Sequence, residues 1–202
     1  MVIRQSKHFN LQQICDSGQC FRMERVSENC YRVIAFGRSL EILQEGEQCT
    51  FFCTPHEFEE IWNDYFDLET DYQSYIEEIN PNDSYLLAAA EWGSGIRILR
   101  QDLWEMIASF LISQQNHITR IRKCIQNLCE TYGEERTGDS GNTFYTFPEP
   151  EKLAELGMMI SKHAILDIAV NMLCGLQKVL YQGKWIWMQS NICLMQKQRK
   201  SC

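Results

Sequence analysis

Residues 95–132 read GIRILRQDLWEMIASFLISQQNHITRIRKCIQNLCETY, and this stretch decides the fold. In its first half Leu99, Leu103, Ile107, Phe110 and Leu111 recur at helical spacing and Trp104 widens the stripe. This predicts an amphipathic helix with that face in a core. In its second half Ile118, Ile121, Ile125, Leu128 and Tyr132 step by three and four, while Thr119, Arg120, Arg122 and Lys123 take the opposite, basic side. Between the stripes stand Ser113, Gln114, Gln115, Asn116 and His117, five consecutive hydrogen-bonding side chains with no acid among them, just before a helix start. Such a turn suits base edges and phosphates.

Working outward, residues 19–53 hold four short β-rich runs, CFRME, CYRVIAFG, SLEILQ and CTFFC, separated by SEN, GR and EGE. They read as an antiparallel meander. Thr54-Pro55-His56-Glu57 then combines an N-cap, a proline at the first helical position and the glutamate of a capping box. The helix it opens carries the stripe Phe58, Ile61, Trp62, Tyr65 and Phe66. Asp71 to Ile79 continues helically, Pro81-Asn82-Asp83 breaks and restarts, Tyr85 to Trp92 forms a short helix, and Gly93-Ser94-Gly95 is a hinge. Gly133 to Asn142 reads as a polar loop, and Phe147-Pro148-Glu149-Pro150 opens a helix at Glu151. The aromatics Trp62, Tyr65, Phe66, Trp92 and Trp104 are expected in the core.

At 202 residues and 45% hydrophobic content the chain can bury a core of one or two small domains. No run approaches the roughly 20 apolar residues of a membrane span, and the start lacks the apolar centre of a signal peptide. A cytoplasmic or nuclear monomer with no membrane association is expected. The ten cysteines are scattered without CxxC spacing, which favours reduced, buried thiols. No Cys, His and carboxylate cluster has zinc spacing, so neither a metal nor a cofactor is implied. Cys20 has nothing basic beside it and reads as strand packing. His8, His56 and His163 have no ligand or base context.

The net charge of −8 argues against a nucleic-acid partner only as a sum. Between Ile96 and Lys123 the bases Arg97, Arg100, Arg120, Arg122 and Lys123 face two acids, Asp102 and Glu105, which leaves room for a local basic patch. After Gly157 the only acid is Asp167, against Lys162, Lys178, Lys184, Lys197, Arg199 and Lys200.

Residues 95–132 resemble the first helix pair of the helix-hairpin-helix domain of 8-oxoguanine DNA glycosylases. Ser17 to Met23, SGQCFRM, is similar to the SGQ-x-FRW motif of the same family's amino-terminal domain. The resemblance covers roughly Phe9 to Gly157. It implies an α+β architecture: a twisted antiparallel sheet with helices, the TBP-like amino-terminal domain, at 1–92, then an incomplete all-helical glycosylase domain at 93–157. It also implies base excision repair of 8-oxoguanine in double-stranded DNA, with glycosylase and apurinic-site lyase activities. A base must leave the duplex before its glycosidic bond is attacked, so such an enzyme needs a pocket and a plug. Gly18 aligns with a glycine whose carbonyl meets the N7 hydrogen that 8-oxoguanine carries and guanine lacks; the alternative is a turn residue before the first strand. Gln115 aligns with an asparagine that fills the vacated space, with Asn116 and His117 after it, and Arg120 with an arginine facing the orphaned cytosine. Arg122 and Lys123 read as a solvated basic face.

The family's attacking lysine, in an LPGVG-x-K-like hairpin, its later aspartate and its GYR element are not found in this chain. No catalytic residue is assigned. Reading each codon from Met158 on as its third base plus the next two, permitted codons for AILDIAVNM can spell FGYRSKYV. Those for LYQGKWIWMQSNICLMQKQRK can spell ISGEMDLDAIKHMPYAEAKKK. Both look like family sequence, so residues 158–202 are expected to be an out-of-frame tail, poorly packed and rich in exposed apolar surface. The expected product is an inactive member of the glycosylase lineage; the alternative is a non-catalytic DNA-binding fragment or an unstable pseudogene product.

Overall fold

A computed structural model describes residues 1–114, 116–139 and 141–156. Five antiparallel strands form one sheet: β1 (Val2–Gln5), β2 (Met23–Ser27), β3 (Cys30–Ala35), β4 (Arg38–Glu45) and β5 (Gln48–Phe51), in the order β1-β5-β4-β3-β2. The predicted meander is β2 to β5. Strand β1 closes its free edge, pairing Val2 with Phe51 and Gln5 with Gln48; it carries no turn signal and was not expected from the pattern. Alternation sends Tyr31, Val33 and Ala35 of β3, Leu40 and Ile42 of β4, and Cys49 and Phe51 of β5 to one buried face.

Helix α1 (Leu11–Asp16), also unanticipated, lies in this core through Leu11, Ile14 and Cys15. Its placement is fixed by Gln44, whose amide donates to the Phe9 carbonyl at 2.7 Å and accepts from the Leu11 N–H at 2.8 Å. On the same core lie α2 (Pro55–Glu57), a π-helical turn (Phe58–Trp62) and α3 (Asn63–Tyr65). Phe58, Trp62, Tyr65 and Phe66 are fully buried, as their stripe predicts, and Phe51 meets Phe58 edge-on at 4.9 Å. Only half of the expected capping box forms. Thr54 accepts from the Glu57 N–H at 3.2 Å, while the Glu57 carboxylate accepts from the Trp62 indole at 3.0 Å.

After α4 (Tyr72–Glu77) and α5 (Ser84–Trp92), capped by Asp71 and Asp83, the chain passes through Gly95. A Cβ there would collide with Asn10 and Gln13, so glycine permits the close approach to α1. A second apolar cluster is built by α6 (Leu103–Ser113), α7 (Ile118–Tyr132) and Leu153 of α8 (Pro150–Leu156). Three expectations are corrected here. Helix α6 starts at Leu103, not near Gly95, because Asp102 caps it by accepting from the Glu105 N–H at 2.8 Å. Its buried face is Trp104, Ala108 and Ile112 at four-residue spacing with Ser109 beside them, which turns Phe110 to solvent at 63% exposure. Trp92 is 77% exposed, not core. Helix α7 follows its stripe from Ile121 through Leu128, with Ile118 left outside. The polar loop at 133–142 carries part of a hairpin, β6 (Glu135–Thr137) paired with β7 (Thr143–Tyr145). Among the described residues no helix is long and apolar enough to cross a membrane.

Candidate nucleic-acid interface

The α6–α7 connection ends one helix and starts another with backbone bonds, such as the Gln114 N–H to the Leu111 carbonyl at 3.3 Å, reinforced by side chains. Ser113 Oγ and Gln114 Nε2 donate to the Phe110 carbonyl at 2.7 and 3.2 Å, and Asn116 Nδ2 donates to the Ile112 carbonyl at 2.8 Å. These satisfy carbonyls that the end of α6 leaves without helical partners. His117 caps α7, its Nδ1 accepting from the Arg120 N–H at 3.4 Å. Asn116 and His117 therefore build the tip, Asn116 half-buried and His117 exposed. Arg120 lies exposed on the first turn of α7, beside N–H groups that point out of the helix. Gln115 lies outside the described residues.

Gly18 follows α1 in a half-exposed loop at φ +78°, a conformation that L side chains rarely adopt, and a Cβ there would meet no atom within 4 Å. Backbone conformation, not space, thus requires glycine. Beside it Gln19 makes a contact that the sequence reading did not assign. Its amide donates to the Arg97 carbonyl at 2.9 Å and to Ser17 Oγ at 3.2 Å, and accepts from the Leu99 N–H at 3.1 Å; Gln101 donates back to the Gln19 carbonyl at 2.7 Å. Two motifs about eighty residues apart are therefore one physical unit. The Gly18 loop is held by the segment that leads into α6 and the polar tip lies at the far end of that helix, with eleven residues or about 16 Å of helix in between.

Arg22, from the same SGQCFRM motif, makes the second joint. It donates to the Tyr145 carbonyl and pairs with Glu105 at 3.5 Å, both side chains nearly buried. Burial pushes the Glu105 carboxyl up to about 7, against the pull of the Arg22 guanidinium. Cys20 is also buried there, in a loop and not a strand, and burial pushes its thiol up, as expected for an inert packing group. The signal for Gln19 and Arg22 was in the motif itself, but their partners lie far along the chain.

The basic patch is smaller than the charge count implies. Arg97 is buried, donating to the carbonyls of Asp67 at 2.6 Å and His8 at 3.1 Å and lying over the Tyr72 ring at 4.5 Å. Arg100 is paired with Asp64 and Asp67. Arg122 is half-buried with its Nε enclosed and unbonded, close enough to Cys15 to offset part of the burial that raises that thiol; it is not the solvated side chain expected. Arg120 and Lys123 remain exposed on α7. Among the described residues no cluster of His, Cys, Asp and Glu could hold a metal ion.

Comparison with known proteins agrees on the lineage. An N-glycosylase/DNA lyase of Saccharomyces cerevisiae is 36% identical over 84 residues, covering 37% of this chain and 22% of that protein. The solved structure of MBOgg1 in complex with a low-affinity DNA ligand superposes with a TM-score of 0.79 at 34% identity, over 90% of this chain and 63% of the other. The Clostridium acetobutylicum 8-oxoguanine glycosylase/lyase, in complex with dsDNA containing cytosine opposite to 8-oxoG, gives 0.78 at 31% identity, over 91% and 66%. The chain thus spans less than two thirds of the length of these relatives. The model of the 8-oxoguanine DNA glycosylase N-terminal domain matches residues 1–107, more than half of the chain, and with the sheet, the Gly18 loop and the helix pair in place, this protein belongs to the 8-oxoguanine DNA glycosylase family.

Proposed function

We propose that this chain is the lesion-facing part of a base-excision glycosylase, a monomer that binds duplex DNA containing oxidised guanine opposite cytosine and does not itself release the base. The observation that carries the reading is the pair of hydrogen bonds by which Gln19, next to Gly18, holds Arg97 and Leu99 in the segment that leads into α6, so that the Gly18 loop and the α6–α7 tip belong to one frame. The Gly18 carbonyl would accept the N7 hydrogen of 8-oxoguanine. Gln115, Asn116 and His117 would fill the gap left in the stack, and Arg120 would face the unpaired cytosine. The DNA in the complexes of its relatives supports this partner. Such a protein acts where duplex DNA is, in a bacterial nucleoid or a eukaryotic nucleus.

Base release by a glycosylase/lyase needs an amine that attacks the sugar C1′ and becomes a Schiff base. The sequence offers no lysine in a Gly-rich hairpin. Borohydride trapping on an 8-oxoguanine:cytosine duplex is therefore expected to yield no covalent adduct, while binding is weak and falls with salt, since few phosphates are neutralised. Robust trapping would refute the non-catalytic reading. Arg120→Ala should weaken binding to a duplex with an orphaned cytosine more than to an intact duplex; equal loss on both leaves only a phosphate contact. The tail at 158–202 lies outside the described residues, and we propose that it arose by frameshift. Sequencing the coding region should reveal a GYR element, a Gly-rich hairpin with lysine and an aspartate in the alternate frame; a frame without them removes that explanation.

A further inference from the structure

A cavity of about 410 Å³ lies between the β2 edge of the sheet, α7 and β7. That volume is in the range that holds small organic ligands. None of Gly18, Asn116, His117 and Arg120, the described residues proposed to face DNA, lines it.

Three arginines line the cavity, and two of them are committed elsewhere. Arg22 is held by Glu105 and the Tyr145 carbonyl, and Arg32 by Glu41 at 2.8 Å and Glu24 at 3.3 Å. Arg122 differs: among the described residues it has no ion-pair partner, and its Nε is enclosed with no acceptor. A guanidinium N–H taken out of water without an acceptor is costly, so the site is short of one. The Cys15 thiol beside it supplies no balancing charge, because burial raises its pKa and keeps it neutral. The two acids that line the cavity sit toward solvent. Glu24, paired with Arg32, has a side chain 63% exposed, and Glu130 is exposed and accepts from Gln126 at 2.7 Å. The enclosed charge is therefore positive. Next to it Ile125 and Phe144 are buried and Phe21 half-buried, an apolar wall that phosphate alone would not cover. Such a combination selects an oxyanion on an apolar body.

We infer that this cavity binds a small organic phosphate or carboxylate, its oxyanion on Arg122 and its apolar body against Ile125 and Phe144, independently of the surface proposed to meet DNA. Phenyl phosphate, benzoate, inorganic phosphate and benzyl alcohol, each titrated into the full-length chain and followed by amide NMR shifts, are the probes. Phenyl phosphate or benzoate is expected to saturate in the millimolar range, as about ten non-hydrogen atoms allow, with shifts at Arg122, Ile125 and Phe144. Whichever of the two binds more tightly identifies the head group. Inorganic phosphate and benzyl alcohol each carry half of the chemistry and should bind about tenfold more weakly or less. Arg122→Met keeps the aliphatic stem and removes the charge, so it should abolish the saturable shifts. It should not lower the urea midpoint, since the N–H it deletes has no acceptor in the unliganded protein. Absence of saturation by both aromatic anions would overturn the inference, leaving a cavity filled by solvent. So would inorganic phosphate or benzyl alcohol binding as tightly as the aromatic anions, or shifts that persist in Arg122→Met. A midpoint lowered by that substitution would show that Arg122 already has its partner, and overturns it as well.

Discussion

Replacing Gln19 by alanine tests whether the two motifs form one unit. The side chain donates to the Arg97 carbonyl and to Ser17 and accepts from the Leu99 N–H, at 2.9, 3.2 and 3.1 Å. Arg97 and Leu99 are buried residues, so Gln19→Ala leaves a carbonyl and an N–H short of partners at a position where water enters only partly. Each such group costs about 1–3 kcal/mol. Ser17 is exposed and adds little, so the expected loss is about 3 kcal/mol. For a chain of this size that corresponds to a fall in Tm of about 6–12 °C. Urea denaturation followed by tryptophan fluorescence gives the free energy, and hydrogen exchange at the Leu99 amide locates it. Gln12→Ala, on the exposed side of α1, serves as the control and should change stability by no more than about 0.5 kcal/mol. A Gln19→Ala variant within that same margin, with unchanged exchange at Leu99, would refute the reasoning.

The buried Glu105 makes stability pH-dependent. Its folded value, raised to about 7 from 4.5, means that the folded state holds this proton more tightly than the unfolded one. The contribution is complete below about pH 4.5 and lost as pH rises through 7, about 3 kcal/mol in all. Glu105→Gln, which keeps an acceptor for Arg22, should flatten denaturation midpoints across that window and leave the protein more stable than wild type at pH 8; a preserved slope would assign the titration elsewhere. Removing the cap with Asp102→Ala should cost about 1 kcal/mol in urea denaturation and fray the first turn of α6; no change would mean that Asp102 does not set the start of the helix. Gly18→Ala should fold, since its Cβ meets nothing, yet lose about 1 kcal/mol to the left-handed backbone. A loss several times larger would reveal a contact that the loop geometry does not contain.

Where structure is set by neighbours in sequence, the chain could be read directly. Strand alternation predicted the meander, Thr54 and Pro55 marked a helix start, and the spacing from Ile121 to Leu128 defined the inner face of α7, because backbone geometry alone fixes which side chains share a face. The nomination of Gly18 and Arg120 as DNA-facing residues rests on resemblance and not on local chemistry. Only the tertiary structure decided which face of α6 turns inward. Leu103, Ile107 and Phe110 form as plausible a stripe as Trp104, Ala108 and Ile112, and the choice rests on what α7 and Leu153 offer opposite. The same holds for charge and polarity: Arg97 counts toward a basic patch until the carbonyls of His8 and Asp67 are seen around its guanidinium, and Gln19 carries no assigned role until Leu99 donates to it. A hydrogen-bond partner eighty positions away leaves no trace in local periodicity. Its role exists only once folding has brought both groups out of water, where leaving either unpaired is costly.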